Sequence, residues 1–269
     1  MALAGLRPNE ERTVRGVVEW ARKRLGDRLV DIRLYGSKAR GDSGPESDID
    51  LFMLVTEKLT REEKEEFSRI NCDLDLENAT VTMAVIRTVE QWSDPLRRAT
   101  LFHKNVESEG VRLVRAREGT MIAHGRPAGK RADALAVNGE LARLRLRRAE
   151  ATLREAHHML EGGHLAGTVN RAYYAAFHAA RALLATKGRD SARHAGVLAL
   201  FDEHFVHAGI VAREHSTAIH ALFRLRLQSD YEDVVEFSAD EVREHLEKAG
   251  AFVAAARQAL GSLLQDRED

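Results

Sequence analysis

The sequence predicts two domains of different class: an α/β (α+β) domain in residues 1–115, then an all-α helical bundle over residues 137–269. Three observations carry this. Up to Val114 the hydrophobic pattern alternates between a period of two and a helical period, so strands and helices take turns. After Val137 it is helical throughout and proline is absent. Between the two, residues 116–136 carry three glycines and one proline with weak periodicity, which reads as a linker.

Within the first domain, residues 10–25 set Val14, Val17, Val18 and Ala21 on one helical stripe. LVDIRLY (29–35) alternates as a strand with Val30, Ile32 and Leu34 on one face. DIDLFMLV (48–55) is a second strand, TREEKEEFSRINCDLDL a charged helix, and ATVTMAVI (79–86) a third strand. A helix around Pro95–Glu107 and a short segment at 111–114 complete the unit. In the second domain, breaks at 161–164, 186–190, 207–209 and 228–233 leave about five helices.

The bulk numbers exclude several classes of function. With 269 residues, 44% hydrophobic and 31% charged, the chain reads as soluble and globular, and no apolar run is long enough to span a bilayer. Lys+Arg 41 against Asp+Glu 42 leaves a formal charge of -1, so no global positive field points to nucleic acid. Cys72 is the only cysteine, which rules out an intramolecular disulfide and fits a reducing, cytoplasmic setting. The N-terminal segment lacks the apolar core of a signal peptide.

One stretch carries chemistry. Side chains alternate along a strand, so Asp48 and Asp50 share a face while Ile49, Leu51, Met53 and Val55 fill the other. Phe52 and Leu54 return the aspartate face to apolar character, which confines the acids to one end of the strand. Two neighbouring carboxylates repel unless a cation sits between them or one is protonated, and a hard ion such as Mg²⁺ suits oxygen ligands and phosphate. Upstream, YGSKARG lets the backbone turn after the first strand and start a short helix at Ser37, offering N–H groups and a hydroxyl to phosphate oxygens, with Lys38 and Arg40 adding charge. A phosphate-facing turn beside a metal-holding strand predicts metal-assisted phosphoryl or nucleotidyl transfer.

GSKARGDSGPESDIDL, residues 36–51, resembles the signature of the polymerase-beta-like minimal nucleotidyltransferases: a Gly-Ser turn, a loop, then Asp-hydrophobic-Asp. The resemblance covers roughly residues 10–115. It implies that Gly36 and Ser37 bind a nucleoside triphosphate, with Lys38, Arg40 and Ser47 lining the same pocket, and that Asp48 and Asp50 hold the metals. Active relatives use a third carboxylate from a neighbouring strand. Here Asp73, Asp75 and Glu77 precede the third strand and nothing acidic lies within it, so Asp75 and Glu77, on one face if that strand begins early, are the catalytic candidates beside Asp48 and Asp50. They serve equally as helix-end or solvated acids.

In the second domain, NRAYYAAFHAARALL (170–184), RHAGVLALFDEHFVHAGI (193–210) and RLQSDY (226–231) together resemble the HEPN family of helical domains, often fused to such nucleotidyltransferases. The aromatic stripe on 170–184 packs a core by default, and Tyr173, Tyr174, Arg226 and Tyr231 are the candidates for a substrate pocket in this domain. HEPN ribonucleases use an Arg-x(4–6)-His motif near Arg226. Tyrosine stands at 231 where histidine would be needed, and Arg171/His178 is the one such spacing inside the best-matching helix. RNA cleavage is therefore disfavoured.

The expected activity is Mg²⁺-dependent transfer of NMP from an NTP, ATP first among candidates, to an acceptor hydroxyl on a protein side chain or on a small molecule such as an aminoglycoside. The helical domain would shape the cleft, and HEPN relatives pair through helices, which points to a homodimer. The alternative is a nucleotide-binding regulator or toxin–antitoxin module without turnover. The acceptor and base preference are open from sequence.

Overall fold

The fold is described from a computed structural model over residues 6–44, 47–115, 131–231 and 237–265, without the side chains of 115, 131–132 and 228–231. The chain divides into two compact units, Met1–Pro127 and Ala128–Asp269.

In chain order the first unit runs α1 (Pro8–Leu25), a 3₁₀ turn (Gly26–Arg28), β1 (Leu29–Tyr35), α2 (Gly36–Arg40), β2 (Ile49–Val55), α3 (Arg61–Asn78) and β3 (Thr82–Thr88). Three short helices follow, α4 (Val89–Ser93), α5 (Pro95–Arg98) and α6 (Leu101–Glu109), and then β4 (Val111–Arg115). The sheet order is β3-β2-β1-β4. β1 is antiparallel to β2 and β4, whereas β2 and β3 are parallel because α3 carries the chain back between them.

Strand alternation builds two cores from one sheet. Ile32, Leu34, Ile49, Leu51, Met53 and Val55 pack with Val14, Val17 and Ala21 of α1 and the inner face of α3. Phe52 and Leu54, from the other face, pack with Trp92 and Val106 of the short helices. Val30 belongs to this second core and not, as alternation predicts, with Ile32 and Leu34, because the β1–β2 register shifts between Leu29 and Asp31. The third strand begins at Thr82 and not at 79, since α3 continues to Asn78 and ends over Ala79 at φ 50.

The start of α3 shows how acids are used structurally here. Thr60 and Glu63 form a reciprocal capping box, and the buried Glu63 carboxylate also takes Arg28 and, at 3.3 Å, Arg24. The Arg28 hydrogen bond, then the Thr60 backbone N–H, pull the Glu63 pKa down to about 2. A depressed native pKa contributes stability above the ordinary value of 4.5, and that contribution is lost as pH falls towards about 2. Glu63→Gln preserves the cap but removes the charge. We expect urea unfolding at pH 7 to show a loss of about 1–2 kcal/mol, moderated because both arginines reach solvent. An equal loss at pH 2.5 would contradict the charge assignment.

The second unit contains α7 (Arg131–Glu161), α8 (Leu165–Thr186), α9 (His194–Phe201), a π-helical turn (Asp202–Val206), α10 (Arg213–Tyr231) and α11 (Ala239–Gln265). α7 thus starts inside the segment that reads as a linker. α8 is the central helix, packed against α7, α9, α10 and α11. From Val169 to Thr186 only Asn170, Arg171, Tyr174, His178 and Arg181 are not fully buried, a single polar stripe on an alanine-rich helix. No helix among the described residues is long and apolar enough to cross a membrane.

Candidate active site

Gly36 joins the two halves of the motif. β1 and β2 pair so that Tyr35 lies opposite Asp50, and the next residue, Gly36, turns away at φ 73 into α2. A Cβ at Gly36 would fall 2.2 Å from Asp50 Oδ2, so the bare backbone of the turn lies directly against the carboxylate. Asp50 is half-buried and Asp48, one strand repeat earlier, is exposed. Burial, then the charge of Asp48, raises the Asp50 pKa, with Arg40 acting the other way.

This donor set fits a divalent ion. Asp50 lies in β2 and Asp48 just before it, and the Asp48 charge disfavours ionised Asp50, a conflict that a hard cation relieves while phosphate or water oxygens complete its shell. Among the described residues no group of three His, Cys, Asp or Glu side chains converges, so the two aspartates stand without a third acid.

The expected pocket residues divide sharply. The Ser37 hydroxyl makes no hydrogen bond with the described residues, while its carbonyl accepts the Gly41 and Asp42 N–H groups that close α2. Arg40 is partly exposed, donates to Glu109 at 2.8 Å and to Asp42 at 3.2 Å, and its charge reaches Asp50. Ser47 clasps the loop before Asp48 by accepting the Gly44 N–H at 2.9 Å. Lys38 corrects the expectation of a phosphate ligand: its ammonium is buried and donates to the buried Glu10 carboxylate at 2.7 Å. Burial alone would raise the Glu10 pKa, but hydrogen bonds from Lys38 and Arg7 hold it below the ordinary value. This ion pair ties the turn after β1 to α1.

The acids before β3 are also placed differently from the strand-face expectation. Asp75 and Glu77 lie on α3, where residues two apart do not share a face. The Asp75 carboxylate accepts Thr80 Oγ1 at 2.7 Å, Thr82 Oγ1 at 2.8 Å and the Thr82 N–H at 2.9 Å, which fixes the turn into β3. Glu77 is exposed. The position beside Asp50 on β3 is Met83, with Val81 one repeat earlier; they are 55% and 58% exposed, an apolar shelf next to the two aspartates.

Tyr35 is a residue that motif reading passes over. It flanks Asp50 from β1, meets Phe102 edge-on at 5.5 Å, and its hydroxyl pKa is pushed up to about 12 by burial and then by the Asp50 charge. It therefore stays a neutral phenol at any working pH.

In the helical unit, Tyr173 does not line a pocket. It is fully buried, with its hydroxyl 2.6 Å from His194 Nδ1, and so belongs to the core. Tyr174 is partly exposed and Arg226 lies over both rings, 5.7 Å from that of Tyr174 and 5.9 Å from that of Tyr173. Tyr231 closes α10, and its side chain lies outside the described residues. His178 shares the polar stripe of α8 with Arg171. Its pKa is lowered to about 4 by burial and then by the charges of Arg148, Arg181, Arg145 and Arg171, so the ring is neutral at pH 7.

Comparison with known proteins agrees with this architecture. A family model described as a nucleotidyltransferase domain matches residues 17–107, and one described as a HEPN domain matches residues 142–259. A UPF0332 protein of Thermotoga maritima is 37% identical over 117 residues, spanning 44% of this chain and 89% of the relative. A Methanocaldococcus jannaschii protein named "Putative toxin" is 34% identical over 116 residues, 43% of this chain and 86% of its own length. Another from that organism, named "Putative protein adenylyltransferase", is 33% identical over 91 residues, 33% of this chain and 83% of its own. The chain thus belongs to the nucleotidyltransferase and HEPN families together, with a nucleotidyltransferase domain in its N-terminal half and a HEPN domain behind it.

Proposed function

We propose that the N-terminal domain transfers NMP from an NTP, ATP being the first candidate, to a hydroxyl on a protein side chain with release of pyrophosphate. The observation that carries this is the contact between the Gly36 turn and the Asp50 carboxylate, which brings a bare backbone suited to phosphate oxygens against one of the two acids. Asp48 and Asp50 would hold Mg²⁺, which when bound supplies charge neutralisation at the α-phosphate. The Gly36–Ser37 backbone and the free Ser37 hydroxyl bind the β- and γ-phosphate oxygens, and Arg40 adds positive charge at the rim. Tyr35 stands beside Asp50 as a neutral phenol and adds no charge to the site.

Two points favour a protein acceptor over a polycationic aminoglycoside. Val81 and Met83 border the aspartates with apolar surface, where a polycation would call for further acids. The relative named "Putative protein adenylyltransferase" supports the same choice. Incubation with ATP and Mg²⁺ should release pyrophosphate and leave an added AMP mass on a protein, the chain itself or a partner. Absence of Mg²⁺-dependent ATP binding by calorimetry would refute the proposal.

A second reading, a nucleotide-binding regulator or toxin–antitoxin module without turnover, is favoured by the lack of a third converging acid among the described residues. Met83 occupies the place where one would meet Asp50. Met83→Asp is therefore expected to raise Mn²⁺ affinity, read by electron paramagnetic resonance, by about tenfold or more, and to speed pyrophosphate release if base or metal occupancy limits it. Unchanged Mn²⁺ affinity would show that the β3 position does not reach the metal.

A further inference from the structure

A cavity lies at the opposite end of β2 from the aspartates, outside the carboxyl ends of the parallel strands β2 and β3, and measures about 380 Å³. Crevices at the carboxyl ends of parallel strands are where α/β sheets commonly collect ligands. Its apolar lining comes from Val55, Leu59 and Ile86, and three cationic residues, Lys58, Lys64 and Arg87, border it together with Gln91.

The three cations lack carboxylate partners. Among the described residues the Lys58 and Lys64 ammonium groups make no ion pair or hydrogen bond, and Arg87 donates to the neighbouring Ile86 carbonyl at 2.8 Å and holds no acid. Of the acids close by in sequence, Glu57, Glu62 and Glu90 are exposed and do not line the cavity, and three others are committed elsewhere. Glu63 is taken by Arg28 and Arg24, Glu66 by Arg24, and Glu65 by Arg61. Gln91 has its amide oxygen occupied by the Thr88 N–H at 3.2 Å, which leaves its NH₂ group as a donor. Three positive groups and an amide donor around one apolar-lined cavity are complementary to a multiply charged oxyanion with a hydrophobic body.

We propose that this cavity binds a phosphate monoester of nucleoside monophosphate size, at a site separate from the Gly36–Asp50 centre. The phosphate dianion meets Lys58, Lys64 and Arg87, and Val55, Leu59 and Ile86 take the apolar or aromatic body. The volume lies in the range of about 300–1,000 Å³ usual for small-ligand sites. The site needs no divalent ion, because its charge is supplied by the protein. It depends on neither the proposed transfer reaction nor its metal.

The test is calorimetric titration of the full chain with AMP and with inorganic phosphate, in EDTA at low salt. One AMP should bind per chain, more tightly than inorganic phosphate. Asp48→Asn/Asp50→Asn should leave that affinity within about twofold, and Lys58→Gln/Lys64→Gln/Arg87→Gln should weaken it at least about tenfold at an unchanged melting temperature. Should the triple variant melt early, Lys64→Glu, a reversal on an exposed helical position, is expected to produce a similar loss. No AMP binding in EDTA at millimolar concentration, or binding that Lys64→Glu and the triple variant leave unchanged, overturns the assignment.

Discussion

Replacing Asp50 by asparagine is expected to abolish nucleotidyl transfer while making the metal-free protein more stable. The two effects have one cause. Asp50 sits half-buried against Gly36 and beside Asp48, and burial followed by the Asp48 charge raises its pKa above the ordinary value of 3.8. A carboxyl with a raised native pKa binds its proton more tightly folded than unfolded, so stability falls as pH rises from 3.8 through the native value, and the penalty is fully present at neutral pH. Asparagine has the same shape without the charge, and in EDTA its melting temperature should exceed that of the wild type by about 2 °C, tempered because the group is partly solvated. Mg²⁺ should then stabilise the wild type and leave Asp50→Asn unaffected. The same substitution removes half of the carboxylate pair, and pyrophosphate release should fall at least about 10³-fold. A variant that melts no higher in EDTA, or one that retains a tenth of the wild-type rate, would contradict the account of Asp50 as a strained metal ligand.

What could be read from the sequence was whatever follows from local periodicity. Alternation along DIDLFMLV assigns Ile49, Leu51, Met53 and Val55 to one core and Phe52 and Leu54 to the other, and the structure has them there. The five α-helices among the described residues of the second unit follow from the Gly-rich and polar breaks between them. Periodicity fails where a side chain chooses among distant partners. Lys38 looks like a phosphate ligand because it adjoins Ser37, yet Glu10, 28 residues earlier, draws it into the interior. Asp75 looks like a candidate third carboxylate because the onset of β3 is ambiguous. Helix α3 outruns that expectation by two residues, and the three donors of Thr80 and Thr82 then capture the carboxylate. Val30 fails for a different reason, since a register shift between Leu29 and Asp31 has no signature in composition. Asp31 and Arg33, paired at 2.7 Å and buried beneath the short helices, follow the strand's alternation but gave no signal that their face would be covered.

Gly36→Ala should be the most damaging change that alters no functional group. Alanine is strained at φ 73, which by itself costs about 1 kcal/mol. Its methyl would also need the space of Asp50 Oδ2, 2.2 Å away. Because Asp50 is held in β2 by pairing with both β1 and β3, the conflict is resolved by rotating its carboxylate out of the site or by opening the turn. Either outcome separates the Gly36 backbone, the proposed phosphate-binding turn, from the acid. Mg²⁺-dependent ATP binding and pyrophosphate release are expected to drop at least about 100-fold, with stability reduced by about 1–3 kcal/mol. Gly26→Ala distinguishes strain from collision: Gly26 also has positive φ, 53, but an added Cβ there meets nothing within 4 Å. That variant should lose stability and keep its ATP affinity. If Gly36→Ala binds ATP as well as Gly26→Ala does, contact between the turn and Asp50 is not what assembles the site.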